Sequence, residues 1–141
     1  RGGAGDEAID DRGGAVIFGI GTDIVRVSRL QRDLERFGVR FAERILTDDE
    51  LAEFHQKENK AHFLARRFAA KEAAAKAMGT GFAQGLHLRH IGVGHDALGK
   101  PQLIFTDRAS EFVRERGITT AHISLADEED HAVAFVTLEV A

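Results

Sequence analysis

Arg67-Phe68-Ala69-Ala70-Lys71-Glu72-Ala73-Ala74-Ala75-Lys76-Ala77-Met78-Gly79-Thr80-Gly81 is an alanine-rich run that closes on Gly-Thr-Gly, and it reads as the end of one long helix. Ala, Lys, Glu and Met are strong helix formers, and a glycine just past the last periodic residue is the usual stop. Traced backward, the helix extends from about Lys60 to Met78 and turns Phe63, Leu64, Phe68, Ala75 and Met78 toward a core. Glu72 and Lys76 lie one turn apart, which puts a hard anionic ligand and a cation on one face beside a flexible turn. A plain surface pair at i and i+4 is the alternative reading.

Upstream, Val16 to Ile20 predicts a strand that runs into Gly19-Ile20-Gly21-Thr22-Asp23-Ile24-Val25 and delivers Asp23 where the strand should end. There Asp23 is either the N-cap of a helix opening near Arg26 or a ligand. Arg26 to Phe37 is amphipathic, with Val27, Leu30 and Leu34 on one side, and stops at Gly38. Phe41 to Leu46 suits a short helix. Thr47-Asp48-Asp49-Glu50 is a capping box that opens another, through about Gln56. Downstream, Leu88 to His95 and Gln102 to Phe105 read as a hairpin around Asp96, Gly99 and Pro101. Asp107 to Arg116 is helical and ends at Gly117, and Thr119 to Leu125 and Ala132 to Val140 alternate as antiparallel strands. In His122-Ile123-Ser124-Leu125-Ala126-Asp127, alternation sends His122, Ser124 and Ala126 to one face and Ile123 and Leu125 to the other. The fold class is α+β, a mainly antiparallel sheet packed with helices, in a single domain over 16–141. Residues 1–15 carry five glycines and charged clusters without an apolar face, and are expected to be disordered or foreign to the domain.

A chain of 141 residues with 43% hydrophobic residues and ten Phe can fill one core. Having no cysteine, it must build any metal site from oxygen or histidine, and the composition suits a reducing cytoplasm. No run approaches the ~20 apolar residues needed to span a bilayer, so no membrane role is expected. The net charge of -4 argues against nucleic acid as a partner. Charge is nevertheless segregated. Arg26, Arg29, Arg32, Arg36, Arg40 and Arg44 form a basic stretch, while acids gather at Asp48-Asp49-Glu50 and Asp127-Glu128-Glu129-Asp130. Such a chain can offer a basic face to an acidic protein, or simply a solvated helix.

Taken together and in this order, the Gly-Ile-Gly-Thr-Asp run, the Arg-Phe-Ala-Ala-Lys-Glu run with its Gly-Thr-Gly tail, and the His-Ile-Ser strand resemble the holo-acyl-carrier-protein synthase family, the small 4'-phosphopantetheinyl transferases. Phe41-Ala42-Glu43-Arg44-Ile45-Leu46-Thr47 and Gly99-Lys100-Pro101 support the resemblance, which spans about Val16 to Val140. It implies transfer of the 4'-phosphopantetheine arm of coenzyme A to a serine of apo-acyl carrier protein, with release of adenosine 3',5'-bisphosphate, in support of fatty acid biosynthesis. It further implies Mg²⁺ held by Asp23 and Glu72, with Glu72 and Lys76 catalytic. Arg67, Lys76, Gly79, Gly99, Lys100, Pro101 and His122 would contact coenzyme A. Arg29, Arg36, Arg40, Phe41 and Arg44 would dock the carrier protein's acidic helix, and a homotrimer would form active sites between subunits. Many members have a second histidine where this chain has Asp127, which instead could neutralise a neighbouring cation. Spacing does not choose among a metal-bound water, Glu72 and Asp127 as the proton acceptor. A non-catalytic carrier-protein or anion-binding module and another magnesium enzyme acting on a nucleotide diphosphate are the competing readings.

Overall fold

The computed structural model describes residues 14–141, so the expectation for 1–15 falls almost wholly outside the described residues. The chain runs β1 (Val16–Arg26), α1 (Val27–Phe37), α2 (Val39–Ile45), α3 (Asp48–Gln56), α4 (Lys60–Met78), β2 (Ile91–His95), β3 (Pro101–Phe105), α5 (Asp107–Glu115), β4 (Ile118–Asp127) and β5 (His131–Val140). β1, β5 and β4 form one antiparallel sheet in that spatial order, and β2 with β3 forms a separate hairpin. None of the helices among the described residues is long and apolar enough to cross a membrane.

α4 is the axis of the core. Ala69, Ala70, Ala73, Ala74 and Ala77 are buried along it, together with Phe63, Leu64 and Met78. Small side chains let the helix lie flat on β1 and β5, where Ala132, Ala134, Val136 and Leu138 supply the facing layer. Gly79 ends the helix with φ 84, the left-handed conformation that a Cβ disfavours, and its N–H returns to the Lys76 carbonyl. The Thr47 capping box forms as the sequence predicts: the Thr47 hydroxyl accepts from Glu50 N–H, and Glu50 accepts from Thr47 N–H.

Three elements differ from expectation. β1 is eleven residues long and passes straight through Asp23, which is therefore neither at a strand end nor a helix cap. Its pairing with β5, continuous from Gly19↔Leu138 to Arg26↔His131, overrides the poor strand propensity of the glycines and the acid. Leu88–His90 is a turn of 3-10 helix instead of the start of β2. α2 begins at Val39, directly after Gly38, because Gly38 takes φ 68 and reverses the chain in one residue.

Candidate functional site

The glycines of β1 let strand and helix touch. A Cβ added at Gly21 would stand 2.0 Å from the Ala73 carbonyl oxygen, and one at Gly19 would stand 1.9 Å from that of Ala77. Asp23 lies on the same face of β1, so this contact carries its carboxylate to the last turns of α4. There the Lys76 ammonium donates to Asp23 Oδ1 at 3.0 Å and to the Thr22 carbonyl at 3.0 Å. The local Glu72–Lys76 helix pair is thus not what forms: Lys76 reaches across to β1. Glu72 stands half-buried beside them. Burial raises its carboxyl above the ordinary range, the Asp23 charge adds to the rise, and Lys76 and Arg29 oppose it.

Two carboxylates close enough to repel, with a cation between the elements that carry them, favour a bound cation. Among the described residues no group of three His, Asp or Glu converges as a self-sufficient metal cage. An all-oxygen pair fits magnesium, which takes one or two carboxylates and fills its remaining positions with phosphate and water.

Arg67 is almost wholly buried, at 3% exposure. It stacks 4.6 Å above the Phe63 ring and faces Glu53 at 3.8 Å, while its Nε has no hydrogen-bond partner in the structure. One turn further on, Lys71 is sealed in the core. Its ammonium donates to Glu50 Oε1 at 2.7 Å and to the Ile91 carbonyl, and Glu50 Oε2 accepts from Val93 N–H at 2.7 Å. Burial lowers the Lys71 ammonium and the Glu50 charge opposes that. This pair, which ties α3 and β2 to α4, is not foreseen from the sequence. The capping box locates Glu50, but nothing local points to a partner 21 residues away.

The other expected coenzyme A contacts are not gathered around Asp23. Gly99 takes φ 87 at the tip of the β2–β3 hairpin, where Asp96 Oδ1 accepts from the N–H groups of Leu98 and Lys100; Pro101 opens β3. His122 alternates outward as predicted and pairs with Glu139 at 3.3 Å. It lies on the sheet face opposite α4, and so opposite Asp23. Asp127 pairs with Arg66 at 3.5 Å, the neutralising role open to it from the sequence.

The basic stretch divides. Arg29 sits 5.5 Å over the Phe68 ring and its charge reaches Glu72, which places it at the rim of the carboxylate site. Arg36 lies 5.0 Å over the Phe37 ring, and Arg40 is exposed on α2. Arg44 instead lines a cleft of about 610 Å³ with His87, Arg89 and His90. Phe41 packs against the core, whereas Phe37 and Val39 are exposed beside the arginines. Both flank Gly38, whose φ of 68 separates α1 from α2.

The model of the 4'-phosphopantetheinyl transferase superfamily matches residues 19–136. The chain is 57% identical over 123 residues to the holo-[acyl-carrier-protein] synthase of Nitrosococcus oceani, covering 87% of this chain and 80% of that protein. The crystal structure of the Neisseria meningitidis holo-[acyl-carrier-protein] synthase superposes with a TM-score of 0.83 at 50% identity, over 87% of this chain and 98% of that one. The Bacillus anthracis holo-(acyl-carrier-protein) synthase in complex with CoA (3',5'-ADP) gives 0.74 at 35% identity, over 89% and 98%.

Proposed function

The chain belongs to the 4'-phosphopantetheinyl transferase superfamily, and from that membership we propose how its residues divide the work. Its activity is that of a holo-[acyl-carrier-protein] synthase. The 4'-phosphopantetheine group passes from coenzyme A to a serine of apo-acyl carrier protein, and adenosine 3',5'-bisphosphate leaves. The serine oxygen forms a bond to the pantetheine-bearing phosphorus as the bond from that phosphorus to the bridging oxygen breaks.

The convergence of Asp23, Glu72 and Lys76 carries the assignment of the reacting centre. Asp23 and Glu72 would hold Mg²⁺, which would supply Lewis-acid polarisation of the pyrophosphate and ease approach of a nucleophile. Lys76, half exposed at the helix end, meets the developing negative charge. Gly79 leaves the backbone after Lys76 open for the pantetheine arm, since nothing stands within 4 Å of where its Cβ would be. Gly99, Lys100 and Pro101 line the nucleotide end, with His122 toward its phosphates, whereas Arg67, buried against Phe63 and facing Glu53, supports α4 from behind. Mass spectrometry of apo-carrier protein incubated with coenzyme A and Mg²⁺ tests the whole reading. A pantetheine adduct that disappears with EDTA supports it, and an unmodified carrier sinks it.

His122 and Asp23 occupy opposite faces of one sheet, so a single copy does not bring them to one ligand. The outer face that bears His122 also exposes Ile24 at 64% and Phe135 at 46%, with Ile20 beside them. Apolar sheet faces of this kind mark contact surfaces, and the trimer that the family resemblance implies would cover this one, with His122 of one copy serving the site of another. Sedimentation equilibrium should return three times the 15.4 kDa chain mass, and Ile24→Lys should dissociate it. A wild-type monomer would end this part of the reading.

Carrier docking falls to Arg36 and Arg40, with Phe37 and Val39 beside them, and to Arg29 at the site's rim; Phe41 and Arg44 flank this surface. Charge reversal at Arg40, Arg40→Glu, should raise KM for the carrier protein by roughly three- to tenfold and leave coenzyme A binding unchanged, because steering acts on the protein encounter. Its rate at limiting carrier should also depend less on salt than that of wild type. Equal salt slopes would mark Arg40 as merely solvated. Arg29→Glu should behave differently and disturb metal-dependent turnover too, because Arg29 acts on Glu72.

A further inference from the structure

Lys76 makes two good hydrogen bonds, and both bind it to the strand that carries a metal ligand. Its ammonium sits 3.0 Å from Asp23 Oδ1 and 3.0 Å from the Thr22 carbonyl, while its side chain remains 52% exposed. Ammonium and divalent ion carry like charge, and Asp23 is only 16% exposed in its side chain, so the two cations compete for one half-closed carboxylate even though Lys76 holds only Oδ1. The half-exposed lysine has a four-carbon stem and can swing away; the strand-borne carboxylate cannot.

From this geometry we propose that Lys76 is the exchangeable resting counter-ion of Asp23. Lys76 would give up Asp23 when Asp23 and Glu72 take a hard divalent cation, and its ammonium would then be available to the phosphates of the nucleotide substrate. The inference rests on the metal reading given above and deepens it. Two linked consequences follow. For the metal alone, Lys76 is a competitor. For metal and nucleotide together, it is a helper, since the released ammonium gains the phosphates as new partners. Metal binding and substrate binding are therefore coupled through one side chain, and each favours the other.

The test uses Mn²⁺ as a paramagnetic probe of the full chain, with free ion counted by electron paramagnetic resonance, in wild type, Lys76→Met and Arg29→Met. Methionine keeps the length of the stem and removes the charge. Arg29→Met controls for charge alone, because Arg29 also acts on Glu72 but makes no ion pair with Asp23 among the described residues. Without nucleotide, Lys76→Met should bind Mn²⁺ about tenfold more tightly than wild type, the order expected when an opposite charge in contact is lifted from a carboxylate. Arg29→Met should gain clearly less. With coenzyme A present, wild type should gain Mn²⁺ affinity and Lys76→Met should gain much less. A Lys76→Met protein that binds Mn²⁺ alone no better than wild type, or no better than Arg29→Met, overturns the exchange. If Asp23→Asn leaves Mn²⁺ binding intact, the metal reading itself fails, and that result is distinct from either of the others.

Discussion

Gly21→Val should melt far below wild type. The first added carbon already stands 2.0 Å from the Ala73 carbonyl and 2.6 Å from the Ala77 amide nitrogen, both of them backbone atoms of α4 that no rotamer change can move. Helix and strand would have to separate over a close-packed alanine layer. Overpacking a core ordinarily costs ~1–3 kcal/mol, and a backbone-on-backbone clash belongs at or beyond the upper end, against a total stability of ~5–15 kcal/mol. Gly21→Ala should retain the fold but melt well below wild type. It should also lose about 10²-fold in turnover, because a helix displaced by about 1 Å carries Glu72 and Lys76 away from Asp23. Gly117→Ala is the control. It meets nothing within 4 Å and carries only the strain of φ 70, so its cost is about 1 kcal/mol with activity largely kept. Circular dichroism melts of the three variants decide the matter, and a Gly21→Val protein that melts like wild type would refute the contact.

Asp23→Ala and Glu72→Ala should each reduce magnesium-dependent turnover by at least about 10²-fold, the order that follows when one element of a preorganised electrostatic site is removed. Near-wild-type turnover at saturating Mg²⁺ in either variant would reject the assignment. Glu72 gives a second readout that does not depend on turnover. Its carboxyl is raised in the folded protein, so ionising it costs the native state stability. That cost is fully present above the raised value and disappears as pH falls below the unfolded value of 4.5. In metal-free buffer, Glu72→Gln should therefore melt at a higher temperature than wild type at neutral pH, with the gap closing toward about pH 4. Magnesium should reverse the order by stabilising only wild type.

Much of this architecture is legible because it is local. The capping box at Thr47, the long α4 with its Gly79 stop and the alternation that turns His122 outward all follow from spacings of four residues or fewer. The features that escape the sequence are those whose partner is remote. β1 reads as ending near Ile20, since two glycines and an aspartate are poor strand residues, and only ten residues of β5 opposite show why it continues to Arg26. Nothing about Gly19 and Gly21 announces a close approach until α4 is laid upon them. Lys76 looks like the partner of Glu72 on its own helix, yet its carboxylate is 53 residues away on β1. The structure nonetheless brings Asp23, Glu72 and Lys76 together, three residues that the sequence presents in two separate motifs.

The buried Lys71–Glu50 pair limits how freely this protein can be redesigned. Elsewhere an interior ion pair can often be exchanged for two fitted hydrocarbons with no loss of stability. Here the carboxylate also serves the amides of Thr47 and Val93, and the ammonium also serves the carbonyl of Ile91. A leucine and methionine in their place would fill the volume, strand the Val93 amide and the Ile91 carbonyl in a dry interior and leave the half-buried Thr47 amide without its cap. Positions 50 and 71 are thus not two choices of residue but one. A library that varies either alone samples almost nothing viable, and one that varies both must carry the hydrogen bonds with it.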